Sequence, residues 1–391
     1  MSIGIYQVPA EVSLAQSPLV FAVRETNTVN LTSSSFQYMS DLYYWTGSVY
    51  NSGSVPQYQL VKYPNLANTG IFEISPIINS VLRQLAQANP SNVYYFALDA
   101  YSQYIDSVTG AYVTGSHYKS PTYKALDGYG LFPEQIGQQI STTTPYWPVM
   151  TSGPSTQSVF INNYGSGSVY GDYSNTPPAT RMFYSSSVGT AYFNLVGSST
   201  STSGQVVHYP EFPATPGFPL TTTGLTSYTI TPYSASVQLG ASIQYNVDCI
   251  QKYPNIRIKW KNRFGQFDYF NFYMVNRKSF NTTRKTYQPQ LGSWQASSLT
   301  YNSYDSQTLN YIVDSKQAIQ VNTFWISEDY NDIFKELLVS DEMYWVTDEA
   351  TDTVKPITII DSSIQFKTSV VDKLIQYAFS FNFGQNYKLI I

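Results

Sequence analysis

Cysteine is nearly absent from this 391-residue chain. Cys249 stands alone, which excludes an internal disulfide and leaves no second thiol for a metal cluster. Histidine is almost as scarce, with only His117 and His208 to serve as general bases or metal ligands. Charged residues make up 12%, about half of the ~25% of an ordinary globular chain. No apolar run approaches the ~18–20 residues of a membrane-spanning helix. The opening residues, MSIGIY, lack the basic and apolar regions of a secretory leader. These absences predict folding in a reducing cytoplasm. They also set aside an outer-membrane barrel, which would need an export signal. A net charge of −4 gives no overall balance for binding a polyanion.

What is present is aromatic. Thirty-six Tyr and 21 Phe raise the aromatic share to 16%, and such residues favour pleated, half-buried surfaces. With so many aromatics and so little charge, most of the chain is expected to fold. The predicted class is mainly β, with antiparallel β-sandwich-type domains and two short amphipathic helices. The first helix begins at Ser75 as N-cap with Pro76 at its first position. Ile77, Ile78, Val81, Leu82 and Leu85 follow at helical spacing, and Asn89-Pro90 ends it. The second starts at Ser327, carries Glu328 and Asp329 in its first turn, and buries Ile333, Phe334, Leu337 and Leu338.

Composition divides the chain into three. Residues 1–140 read as a β domain containing the first helix. Residues 141–240 hold only Asp172, Arg181 and Glu211 as charged groups and are rich in Ser, Thr, Gly and Pro. A flexible linker is one reading of them. Tyr146, Trp147, Phe160, Tyr164, Tyr170, Phe183, Tyr184, Tyr192, Phe193 and Phe212 favour a small β module or projection instead. Residues 241–391 form a C-terminal β domain with the second helix. In it, residues 256–261 (IRIKWK) alternate apolar and basic, as a half-exposed strand would. A Gly-containing turn over 262–266 follows. The run 267–275 is apolar on both faces and is expected to be covered on both.

The inventory for catalysis is thin. Neither histidine has an orienting partner or nucleophile at a telling spacing, and neither a nucleophile elbow nor a phosphate loop occurs. No enzyme, cofactor or metal site is expected. A glycan hydrolase would need two carboxylates among sugar-stacking aromatics. Asp99, Asp106, Asp127 and Glu134 are the candidates, against the plainer reading of solubilising acids. Asn30-Leu31-Thr32 and Asn281-Thr282-Thr283 match the glycosylation pattern, as chance matches in a chain without a leader.

Charge placement says more. Lys252, Arg257, Lys259, Lys261, Arg263, Arg277, Lys278, Arg284 and Lys285 face only Asp268 in their stretch. Residues 328–352 invert this, with Glu328, Asp329, Asp332, Glu336, Asp341, Glu342, Asp348, Glu349 and Asp352 against Lys335. A basic strand with Trp260, Phe264, Tyr269 and Phe270 interleaved could bind single-stranded nucleic acid, or be a solvated face. The reading favoured here is that the two patches meet, within one subunit or between neighbours, because acids in the same domain would repel phosphate. Lys259, Lys261, Arg263, Glu328, Asp329 and Asp332 are the candidate assembly residues.

Several stretches share a resemblance. Residues 65–78 (NLANTGIFEISPII) resemble a segment of virion proteins of tailed phages infecting Bacteroidetes, including the crAss-like phages. Residues 260–270 (WKNRFGQFDYF), 325–338 (WISEDYNDIFKELL) with Ser340, and 356–363 (PITIIDSS) are similar to segments of the same family. Residues 141–240 lie outside the resemblance. It implies a virion component with β-sandwich domains, of the neck, tail or fibre attachment. Its expected partners are other virion proteins and copies of itself. It would fold in the host cytoplasm before joining the particle. The motifs are hairpins and helix starts, so no active-site residue comes with them. A receptor-binding or glycan-cleaving surface protein, with a host glycan as partner, is the alternative.

Overall fold

A computed structural model describes residues 3–33, 35–46, 55–86, 93–106, 108–131, 133, 136–137, 149–171, 180–195, 205–234, 236–249, 253–293, 298–349, 352–361, 363–368, 375–384 and 387–388. Leu85 has no described side chain. Asn89, Pro90, Glu134, Tyr146, Trp147, Asp172, Lys252 and Ser362 lie outside the described residues. The protein is mainly β, with 52% strand and 9% helix. Its chain contacts divide it into two compact units. One holds residues 1–157, 163–247 and 261–268; the other holds 158–162, 248–260 and 269–391. Residues 163–247 are thus counted with the N-terminal residues. Aromatic anchors such as Tyr170 share a core cluster with Leu14 and Tyr95.

In the first unit, two sheets enclose one core. The four-stranded sheet runs Ile136–Gly137, Ile3–Pro9, Val20–Glu25, Thr69–Glu73. The other runs Val12–Leu14, Tyr123–Leu126, Tyr94–Ile105, Gln37–Thr46, Tyr58–Lys62, with Tyr112–Thr114 and Tyr118–Lys119 also on the Tyr94–Ile105 strand. All these pairings are antiparallel except that of Val12–Leu14 with Tyr123–Leu126. Alternate residues point inward: Phe21, Val23 and Phe72 from one sheet, and Tyr38, Leu42, Phe96 and Leu98 from the other. Each such side chain contributes about 1.5–3 kcal/mol by leaving water. The helix Ser75–Ala86 adds Ile78 and Leu82 to this core. Its start differs from the capping expectation. The Ser75 hydroxyl donates to Glu73 Oε1 at 2.8 Å, while the Ile74 carbonyl accepts from the amides of Ile77 and Ile78. A short helix at Thr28–Thr32 was not expected; Asn27 caps it by accepting from the Val29 amide at 3.0 Å.

Residues 149–247 contribute strands throughout their described length. A two-stranded sheet pairs Ser166–Gly171 with Gln205–Pro210. A six-stranded sheet runs Thr156–Phe160, Ile243–Asp248, Ser227–Ser234, Thr180–Ser186, Gly189–Asn194, with Val237–Gln238 on the Ser227–Ser234 strand. One carboxylate, Glu211, is buried there. Tyr245 donates its hydroxyl to Glu211 Oε1, and Tyr228 donates to the Glu211 carbonyl at 2.9 Å. Burial together with this negative charge holds Tyr184, Tyr209 and Tyr245 well above the usual phenol range.

The second unit is built on an eight-stranded antiparallel sheet. Its order is Phe267–Phe272, Ile256–Lys261, Met343–Asp348, Thr353–Ile359, Ala378–Phe383, Leu309–Asn322, Arg277–Tyr287, and Tyr387–Lys388 joins the Leu309–Asn322 strand. The expected helix is present in two pieces, a 3₁₀ turn Glu328–Tyr330 and an α-helix Asn331–Val339. Ser327 precedes the turn without capping it; its hydroxyl donates to Asp329. Ile333, Phe334 and Leu337 are buried as expected, while Leu338 is half-buried. Phe334 packs against the rings of Phe270, Tyr377 and Phe379.

Two strand expectations are corrected. Residues 256–261 are not half-exposed: all six are buried, the basic face included. The run 267–275 is less covered than its composition suggests, with Phe267, Tyr269 and Phe270 half-buried and Val275 exposed. Asp268 and Asn271 take buried positions instead, each held by hydrogen bonds.

Candidate functional site

The strand Ile256–Lys261 concentrates the sequence's basic pattern, and each cation on it meets a carboxylate. Arg257 Nη1 reaches Glu349 Oε2 at 2.7 Å, with its guanidinium 4.4 Å from the centre of the Tyr269 ring. Lys259 pairs with Asp352. Lys261 pairs with Asp127, whose other oxygen accepts from Gln16 Nε2 at 3.0 Å. Buried charge is tolerable only when paired in this way. The turn beyond is fixed as tightly. Asn262 Oδ1 accepts from the amides of Phe264 and Gln266, and Asn262 Nδ2 donates to the Met150 carbonyl at 2.9 Å.

Of the six assembly candidates, Lys259 and Lys261 are therefore buried inside the subunit on Asp352 and Asp127, not on Glu328, Asp329 or Asp332. Arg263 is half-buried, its guanidinium 4.8 Å from the Phe264 ring centre. Glu328, Asp329 and Asp332 are exposed, and Asp332 pairs with Lys335 one helical turn on. The spacing had shown two patches of opposite sign. It carried no signal for which acid each lysine meets, because Asp127 lies 134 positions from Lys261.

The groups considered for chemistry are dispersed. Asp127 is the buried partner of Lys261, and Asp106 sits in an exposed turn. The amides of Val108 and Thr109 hold its carboxyl below the usual range. His208 Nδ1 lies 2.8 Å from Ser168 Oγ, a contact of the kind nucleophilic catalysis uses. Here the Ser168 hydroxyl donates to Gln266 Oε1 at 3.0 Å, so neutral His208 donates to Ser168, the reverse of what a base must do. Ser168 is also buried. His117 and Asp99 form a surface cluster. His117 Nδ1 is 3.1 Å from Asp99 Oδ2, and its ring stacks on Tyr101 at 4.3 Å between centroids. Asp41 lies directly across the strands from Asp99. The Tyr101 hydroxyl is pushed up by burial and by the Asp41 charge beside it. Among the described residues, no group of three or more His, Cys, Asp or Glu could hold a metal ion, and no helix is long and apolar enough to cross a membrane.

One exposed feature was not expected from the sequence. Arg277–Tyr287 and Leu309–Asn322 pair along their length as a hairpin. The first of these strands is the edge of the eight-stranded sheet. An 11-residue strand spans about 36 Å at ~3.3 Å per residue. Beyond Asp314, which pairs with Lys388, the two legs of the ribbon pair with no third strand among the described residues. Ten of the eleven residues of the Arg277–Tyr287 strand are exposed, and so is every described residue from 298 to 311. Phe280, Tyr287, Leu299, Tyr301, Tyr304 and Tyr311 are exposed, Tyr304 at 81% of its full exposure, with the Tyr287 and Tyr311 rings 6.2 Å apart. Single exposed apolar residues are ordinary, whereas a row of them along one arm makes a candidate contact surface. Arg277, Lys278, Arg284, Lys285 and Lys316 are exposed on the same arm, and Lys278 lies 4.9 Å from the Trp345 ring centre.

No family model matches the chain, and no curated protein matches it. Among solved structures, two of the full extracellular region of plexin A4 align over 98% of this chain. The identity is 8% and the TM-score 0.20 in both cases, and the chain spans 40% and 31% of their lengths. Superpositions this loose carry no argument about fold or function.

Proposed function

We propose that this chain is a structural component of a tailed-phage virion, of the neck, tail or fibre attachment, acting through protein–protein assembly and without catalytic activity. The observation that carries this reading is the exposed, aromatic, basic arm over 277–287 and 298–311, a surface suited to being covered by a neighbour. The sequence resemblance to virion proteins of phages infecting Bacteroidetes supports it. So does the chain's low charge, which keeps a protein poorly suited to life as a free monomer. Mass spectrometry of gradient-purified particles should find the chain in fixed proportion to the other virion proteins. Its absence from them would sink the proposal.

A second reading, a glycan-binding or glycan-cleaving surface, has one observation in its favour. Asp41 and Asp99 stand opposite each other on neighbouring strands, beside Tyr101 and His117. Directly opposed residues have Cβ atoms about 4.5–5.5 Å apart, which can bring two carboxyls to the spacing used by retaining glycosidases. Binding or hydrolysis of host-surface glycans that Asp99→Asn abolishes would favour this reading. Glycan binding unchanged by that substitution, or none at all, would remove it.

A further inference from the structure

We infer that the arm over 277–322 of one copy docks on the acidic helix surface around Glu328, Asp329 and Asp332 of a second copy, in a head-to-tail contact. The inference rests on the assembly reading above and names the partner surface.

Three observations lead to it. First, the Arg277–Tyr287 leg of the arm is the edge of its sheet among the described residues, and an edge strand is a template for pairing with another chain. Its charges decide with what. Arg277, Arg284 and Lys285 on the edge strand make the approach of an identical arm repulsive, while an acidic surface is attracted. The acids on the arm itself, Asp305 and Asp314, do not reverse this balance, because they stand against five exposed cations, Arg277, Lys278, Arg284, Lys285 and Lys316.

Second, pairing within the subunit uses only part of each charge pattern. Arg257 and Lys259 are buried against Glu349 and Asp352. The cations on the arm and the acids Glu328, Asp329, Asp332, Asp341 and Asp348 are exposed, Asp332 in its pair with Lys335. The sequence's two opposite patches are thus half combined inside the chain and half presented outward.

Third, the acidic surface has apolar residues in reach of its own. Trp325 is 47% exposed, Phe324 41% and Val339 65%. They match the bare Phe and Tyr side chains of the arm, and aromatic contacts framed by complementary charge are the usual anatomy of an interface. Each copy carries both surfaces, so the contact is heterologous. It closes into a ring or continues as a helix according to the rotation between copies.

The test uses the full chain in two charge-swapped forms. One reverses the arm (Arg277→Glu, Arg284→Glu, Lys285→Glu); the other reverses the helix surface (Glu328→Lys, Asp329→Lys, Asp332→Lys). All six positions are exposed, and circular dichroism with thermal melting checks that both variants fold. Sedimentation velocity at low salt should show the parent self-associating. Each variant alone should associate about tenfold or more weakly. An equimolar mixture of the two should recover association, since every reversed arm then meets a reversed surface. Carbodiimide, which joins lysine amines to carboxylates, applied to mixed heavy- and light-isotope chains should yield mixed cross-links from Lys285 or Lys316 to Glu328, Asp329 or Asp332. Variants that associate like the parent, or a mixture that does not recover, overturn the inference. So do arm cross-links only to another arm or, in purified particles, to a different protein. A chain present in particles whose arm binds elsewhere overturns this inference and leaves the virion reading standing; a chain absent from particles removes that reading instead.

Discussion

Lys261 shows how one residue can tie distant parts of a sequence. Its ammonium and the Asp127 carboxylate are both buried, at 7% and 8% residue exposure. Removing one member strands an uncompensated charge, whereas replacing both with apolar groups of similar volume is often neutral. Lys261→Met should therefore lower unfolding stability by about 3–5 kcal/mol. Lys261→Met combined with Asp127→Leu should recover most of that loss in denaturant titrations. A double variant no better than the single would show that the Gln16 contact to Asp127, not the charge pair, is what matters. At Lys259 the same change should do less, because Asp352 is 29% exposed and water can reach it. The alternation of residues 256–261 made the cations visible in sequence. That they point into protein was not, because covering acids from elsewhere in the chain leave no local mark.

At the scale of elements, the hairpin joining Ile256–Lys261 to Phe267–Phe272 depends on Gly265. Its φ is +78°, and a Cβ placed there would lie 2.0 Å from the Asp127 carbonyl oxygen. Gly265→Ala should cost at least about 1–2 kcal/mol for the left-handed backbone alone, with the close approach to residue 127 adding to it. The denaturation midpoint should fall accordingly, and an unchanged midpoint would contradict the turn geometry. Both helices and the 262–266 turn were readable from apolar spacing and glycine, although neither Ser75 nor Ser327 caps its helix as expected. The arm was not. Residues 277–287 alternate no better than a loop, since neither face of that strand is buried, and periodicity reports burial rather than pairing.

For the whole molecule, the abundance of tyrosine makes alkaline pH a sensitive probe. Burial pushes Tyr123 in the first unit and Tyr330 in the second up to about 12. A phenol whose folded pKa is raised holds its proton more tightly in the folded state than in the unfolded one. The stability this gives is complete below about pH 10 and is lost as pH rises toward 12. Tyrosinate absorbance should therefore rise in two stages. The first stage should leave near-ultraviolet circular dichroism unchanged. The buried set, with Tyr184, Tyr209 and Tyr245 beside Glu211, should appear only with loss of near-ultraviolet circular dichroism. A single stage near pH 10 with the fold intact would contradict this burial.

The sequence alone determined the class of this protein, because aromatic and β-branched residues in short alternating runs can bury their surface only as sheets. It also determined where two helices begin, and that opposite charges gather in two places. Tertiary structure decided what those charges do. Burial selects partners by distance in space, so Lys259 and Lys261 were assigned to Asp352 and Asp127. Glu328, Asp329 and Asp332 were left exposed, as were residues 277–287, Thr282 half-buried among them, and 298–311. No local pattern encodes these outcomes, because an exposed strand and a loop meet the same solvent, and an ion pair is fixed by the fold that closes around it.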